Sequence, residues 1–344
     1  MTTNTIAYIM EGRRARHRRW IVVTSILAVL SVVLCCTMLM LGNTVYPVQD
    51  VIRAVMGEKI KGVSFAVNTI RLPRMLAGMM AGFAFGLAGH TFQTMLRNPL
   101  ANPNVIGITS GSGAAAVFCI TMLHASDTVV SMASVAAGLA TTIIIYLLSG
   151  NGRTFAIGRL ILIGIGIQAM LDAVISYLML KSAQYDLPAV MRWLSGSLNG
   201  SKINELPPLA ATLVVFAPII ILLGKHLSIL ELGEQSATSL GVSANKTRIA
   251  LIVSAVILIS VATAITGPIA FVAFLSGPIA KRLVGAGFSS AIPAGLVGVI
   301  LVLASDLIGQ FAFETRFPVG IITGILGAPY LIYLLIRMNR KGDL

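Results

Sequence analysis

Residues 71 to 107, RLPRMLAGMMAGFAFGLAGHTFQTMLRNPLANPNVIG, set the tightest limit on what this chain can fold into. An apolar run is fenced by arginines and closed by a short Asn/Pro turn that feeds a second apolar run. Gly78, Gly82, Gly86 and Gly89 recur inside it every three or four positions, which puts them on one face of a helix. About twenty apolar residues span the hydrocarbon of a bilayer, and small residues at this spacing let neighbouring helix backbones approach closely there. The segment reads as a packed membrane helix.

Composition agrees. Of 344 residues, 56% are hydrophobic and 11% charged, with a mean hydropathy of +0.91, too little polar surface for a domain facing water. The formal net charge of +13 would suggest nucleic acid in a soluble protein. Here the basic residues sit in connectors between apolar runs and never cluster with aromatics as in single-strand binders, so no nucleic-acid partner is expected. Cys35, Cys36 and Cys119 lie inside apolar runs without metal-ligand spacing and read as reduced packing residues.

Ten apolar runs can be counted, at 20 to 41, 75 to 95, 104 to 123, 128 to 148, 157 to 180, 207 to 224, 249 to 266, 268 to 280, 291 to 312 and 319 to 336. The first is longer than a signal-peptide core and is expected to stay as a membrane helix. The eighth is short, and a half-helix buried among its neighbours is an alternative to a full crossing. With the amino terminus inside, the cytoplasmic segments hold sixteen of the 25 Lys and Arg residues: the Arg13 to Arg19 run, Arg97, Arg153, Arg159, Lys225, Lys246, Arg248, Lys281, Arg282, Arg337, Arg340 and Lys341. The positive-inside rule therefore puts both termini in the cytoplasm, as an even number of crossings requires. No linker divides the chain, so 1–344 is expected to be one domain, with a basic cytoplasmic tail at 1–19 and a cytoplasmic loop at 225–248. RNPLANP after the second run and TGPIAFVAFLSGP after the seventh both set paired prolines behind a Gly/Ala-rich helix, a faint sign of an inverted repeat.

The search for chemistry is mostly negative. GVSANKT, 241 to 247, ends in Lys-Thr but lacks the second glycine that a phosphate cradle needs, so no nucleotide site is expected. No nucleophile and base pair and no His/Cys/carboxylate cluster has the right spacing, so neither a catalytic residue nor a metal ligand is assigned. Asp172 and Asp306 lie within apolar runs, where an ionisable group invites a functional reading. Asp306 sits near an outer end and Asp172 can bond to a neighbouring Ser or Thr, so a structural role is equally open. His90 and Gln93 carry the same two readings. The polar stretch HLSILELGEQSATSLGVSANKTR, 226 to 248, has helix logic, with Ser228 as a cap reaching toward Glu231 and Gly241 as a terminator.

RLPRMLAG, MLRNPLANPNVIGI, GPIAFVAF and FPVGIITGILGAPYLIYLLI together resemble the signature segments of the FecCD family, membrane subunits of bacterial ATP-driven importers for iron-siderophores, haem and vitamin B12. RLILIGIGIQAMLDAVISYLMLKS and WLSGSLNG resemble the fifth-span region of its enterobactin-type permeases. One departure is Gly277-Pro278-Ile279-Ala280-Lys281-Arg282, where many members carry Pro-His-Ile-Ala-Arg; no role of that histidine carries over.

The resemblance implies an all-α polytopic protein of about ten transmembrane helices, the transmembrane subunit of a type II ABC importer in the bacterial cytoplasmic membrane. It implies a permease that moves a ferric siderophore, enterobactin-like, with ATP and Mg used by a separate subunit and no cofactor bound directly. Its partners would be a second permease subunit, identical or paralogous, two copies of an ABC ATPase, a periplasmic or lipid-anchored siderophore-binding protein, and membrane lipids. Leu230, Glu231, Leu232, Gly233, Glu234, Ser236, Leu240 and Gly241 would form the coupling segment in a groove of the ATPase. Arg71, Arg74 and Arg316 would meet carboxylates of the binding protein, and guanidinium suits a bidentate carboxylate contact better than ammonium. Gly164, Gly166, Gln168 and Asp172 on the fifth run, with Gly324, Gly327 and Ala328 on the tenth, would line the pathway between two copies; tight packing is the other reading of the glycines. Haem or cobalamin import within the family, and an ion-coupled secondary transporter outside it, are the alternatives.

Overall fold

The computed structural model describes residues 2–150, 157–230 and 233–341. Regular structure among them is helical: α1 Thr2–Met40, α2 Val48–Val55, α3 Val63–Phe65, α4 Leu72–Met95, α5 Ile108–Thr121, α6 Asp127–Ser149, α7 Ile157–Lys181, α8 Leu187–Ser195, α9 Pro207–Leu230, α10 Glu234–Ser239, α11 Ala244–Thr266, α12 Val272–Val284, α13 Ala291–Phe311 and α14 Val319–Lys341. A π-helical turn, Ala66–Arg71, joins α3 to α4. Each of the ten apolar runs forms one helix. Among the described residues, eight helices are long and apolar enough to cross a bilayer, while α5 and α12 are shorter.

The eighth run is displaced from its expected position. The chain leaves the helix at 267–271 and α12 spans only Val272–Val284, about 20 Å of helix, yet the run joins the end of the bundle where Gly267 lies near Asp127 to the end where Arg282 meets Arg19, as an even number of crossings requires. Gly267 cannot extend α11, because its φ of 69° is left-handed and a side chain there would meet the Trp193 carbonyl. Two short helices, α2 and α8, lie in segments that carried no apolar run, and both are amphipathic.

Helix α4 is the axis of the bundle. Its most apolar stretch is 83% buried, against 17% for that of α7 and 28% for that of α14. It packs on α13, α11, α12 and α9. The glycine stripe makes this possible: a Cβ on Gly82 would lie 2.7 Å from the Gly298 carbonyl oxygen, and one on Gly89 would run into the Ala273 carbonyl. Lipid offers no hydrophobic drive between helices, so such backbone contact supplies the attraction through close van der Waals packing.

The contacts sort the loops into two ends. At one end, Trp20 donates its indole N–H to the Ser289 carbonyl and Arg19 donates to the carbonyls of Arg282 and Leu283. At the other, Arg71 reaches the end of α1, Arg74 reaches Asp306, and Lys202 reaches Asp127.

Candidate functional site

The register of α4 against α13 builds the first cluster. The helices run antiparallel, so each step of four residues along one is matched by a step of four back along the other. Gly86 meets Ala294, Gly82 meets Gly298, and Gly78 meets Val302. One turn further, Arg74 donates from Nε and Nη2 to Oδ2 and Oδ1 of Asp306, both at 2.8 Å. Gln310 donates to the same Oδ2 at 2.7 Å. The Asp306 side chain is 1% exposed and that of Arg74 13%.

This corrects the docking reading of Arg74, one of the three arginines expected to meet the binding protein. Arg74 is spent on Asp306, which answers the open reading of that carboxylate as a structural partner. Arg71 donates to the carbonyls of Leu39, Met40 and Thr44 and lies over the Tyr46 ring, closing the carboxyl end of α1. Arg316 remains exposed and donates to Asn43.

The expected pathway residues divide. Gly166 and Gly324 have open space where a Cβ would stand, and Asp172 and Ala328 are exposed; Gln168 is partly covered. Gly164 is buried, and a side chain on Gly327 would strike the Phe271 ring. Gly327 thus takes the packing reading in place of the pathway one, and Gly164 is covered within a single copy. Phe271 itself has φ 62°, one of three non-glycine residues in the left-handed region among the described residues, with Arg97 and His124.

At the opposite end, α10 follows α9, and Gly241 stops it as expected: its φ is 79°, and Val242 N–H returns to the Ala237 carbonyl. Gly233, at φ 114°, makes the turn between the two helices. Leu240 is exposed, but Leu230 is 4% exposed and packs with Ala237 and Val242, so it holds the segment together and offers nothing to a partner. Glu231 and Leu232, like Arg153, lie outside the described residues, as do the side chains of Ser228, Glu234, Ser236, Arg340 and Lys341.

Arg97 was not anticipated here. It ends α4 in the left-handed conformation and donates to the Leu230 carbonyl, tying the RNP turn to the start of the polar segment. Its place beside the Asn-Pro turn was the available signal. Gln93 bridges to the Phe274 carbonyl at 2.8 Å, an interhelical contact; His90 is buried beside it and its Nδ1 has no partner. The three cysteines are free thiols.

With its glycine-laddered axial helix, the short α12 beside it and α10 at one end, the chain has the fold of an ABC-transporter permease. The chain overlays a solved metal-chelate-type ABC transporter in an inward-facing conformation with a TM-score of 0.80 at 28% identity, covering 92% of this chain and 99% of the other. A model of the FecCD transport family matches residues 28–337, and the chain belongs to that family.

Among its relatives, the ferric enterobactin transport system permease protein FepG of Escherichia coli (strain K12) is 35% identical over 303 residues, 87% of this chain and 91% of the relative. The Fe(3+)-citrate import system permease protein YfmE of Bacillus subtilis (strain 168) is 34% identical over 96% of this chain and all of its own length. The cobalamin import system permease protein BtuC of Halobacterium salinarum is 32% identical over 78% of this chain and 73% of its own length. The protein is thus a non-enzymatic, multi-pass membrane subunit of an importer family for siderophores and related chelates.

Proposed function

We propose that the chain moves a ferric siderophore of the catecholate, enterobactin-like class across the bacterial cytoplasmic membrane, driven by ATP hydrolysis in a separate subunit. The observation that carries this reading is the similarity to FepG along 87% of the chain. Both termini face the cytoplasm in this reading, which puts α10 inside with the ATPase and Arg316 outside with the binding protein.

Two copies of the permease, identical or paralogous, meet through the faces of α7 and α14 that one copy leaves bare, and the chelate passes along Gly166, Gln168, Asp172, Gly324 and Ala328. Small and weakly polar surface gives a bulky chelate no strong resting point. Glu234, Ser236 and Leu240 meet the ATPase groove, with Glu231 and Leu232 beside them in sequence. Outside, Arg316 and the exposed edge of Arg71 meet carboxylates of the binding protein, while Arg74 holds α13 in place beneath them.

The test is uptake of radiolabelled ferric enterobactin by a strain deleted for this chain and complemented with it. Restored uptake that requires the partner ATPase is expected. Restoration with ferric citrate or cobalamin but not with the catecholate would overturn the substrate class, and uptake indifferent to ATP depletion would overturn the drive.

A further inference from the structure

A pocket of about 420 Å³ opens at the end of the bundle where Arg74 and Arg316 lie, and none of the residues assigned above lines it. Its walls come from the α5–α6 turn, the start of α8, the loop from Ser197 to Glu205 and the end of α11. Three carboxylates line it, Asp127, Asp186 and Glu205. Lys202 covers two of them, at 2.6 Å from Asp127 and 3.4 Å from Glu205.

Asp186 is left over. It is 8% exposed, and its Oδ2 is buried without a hydrogen-bond partner. Its Oδ1 faces His124 Nδ1 at 3.7 Å, beyond hydrogen-bond length, while the His124 ring stacks on Tyr185. Oδ2 is closed off by the protein, so Oδ1 is the oxygen a ligand can reach, and a group that brings its own N–H and positive charge to Oδ1 offsets the cost of the buried carboxylate. Trp193 supplies an aromatic wall, and an indole face attracts ammonium and guanidinium heads. Arg192 also lines the pocket, yet carboxylates outnumber it and Lys202 by one.

We propose that this pocket receives the ammonium or guanidinium head of a basic side chain on the substrate-delivering protein, with Asp186 as its acceptor. The proposal rests on the importer reading above and on that reading's orientation. It adds a contact of opposite polarity to the outer arginines: the permease offers cations at Arg71 and Arg316 and an anion here. A partner carrying acids alone would satisfy only one of the two, so the pocket fixes the rotation at which the partner docks.

Asp186→Asn isolates the charge. Asp186 stands at the amino terminus of α8 without a side-chain cap bond, and Asn keeps its size and shape, so its packing survives the change while the charge is lost. In spheroplast uptake against added binding protein, the half-saturating concentration should rise about tenfold with the plateau rate kept, as expected for losing a charged hydrogen bond. A half-saturation within about twofold of wild type, whatever the plateau does, overturns the proposal.

A second measurement needs no partner. The chain has 2 tryptophans, so Trp20→Phe leaves Trp193 as sole reporter, and L-arginine amide should alter its emission in lipid nanodiscs but not when Asp186→Asn is added. Equal responses in the two proteins, or none in either, overturn the proposal. Wild-type uptake that ignores added binding protein would instead sink the importer reading, and the arginine amide titration would then decide the pocket alone.

Discussion

At the scale of single residues, Arg74 shows most clearly how an accurate reading of position can miss the role. Its charge, its place at the helix end and its guanidinium chemistry all suit an encounter with an outside carboxylate. The carboxylate it meets is Asp306, 232 positions along the same chain. Breaking a buried pair by removing one partner leaves an uncompensated charge, so Arg74→Met should cost about 3–5 kcal/mol of stability. Adding Asp306→Leu should return most of it, because a matched apolar pair fills the same space without the desolvation cost. Thermal unfolding in detergent micelles reads both; a double variant no more stable than the single would remove the ion-pair account. The four-residue spacing of Arg74, Gly78, Gly82 and Gly86 on one helix and of Ala294, Gly298, Val302 and Asp306 on the other was present in the sequence. Only the register between the helices shows that the two series face each other.

At the scale of elements, the long apolar helices were legible and the short ones were not. A membrane crossing announces itself by about twenty apolar residues. The amphipathic α2 and α8 bury only one face and stayed hidden in segments read as connectors. Helix α10 lies between, for its stop at Gly241 was readable from glycine's tolerance of left-handed φ. The inward turn of Leu230 was not readable, since it depends on Ala237 and Val242 folding back onto it. Leu240, exposed on the same segment, is the residue left for a partner. Leu240→Asp should lower uptake by at least about tenfold while the melting temperature of the isolated permease stays put, since an exposed substitution disturbs no packing. An equal loss of thermal stability would show Leu240 to be part of the fold. Leu230→Asp should act the other way, destabilising the segment before any partner is present.

At the scale of the whole molecule, the topology makes a prediction about sides of the membrane. With Cys35, Cys36 and Cys119 replaced, a cysteine at Asn199 should react with a membrane-impermeant maleimide added to sealed cells, and one at Ser236 should not. Reaction at Ser236 would reverse the orientation and with it the assignment of α10 to the ATPase side. What the linear chain determined was the number and order of its membrane helices, because the hydrophobic cost of burying a polar residue in lipid is local and is paid residue by residue. It also determined the family, which shows in contiguous motifs such as RLPR and RNPLANP. What only the tertiary structure decided was which charges remain available at either end. Arg74 pairing with Asp306, Arg97 holding Leu230 and Asp186 left with a bare oxygen all depend on helices distant in sequence meeting at one register, and pairwise contact across a bundle has no signature in a single strand of sequence.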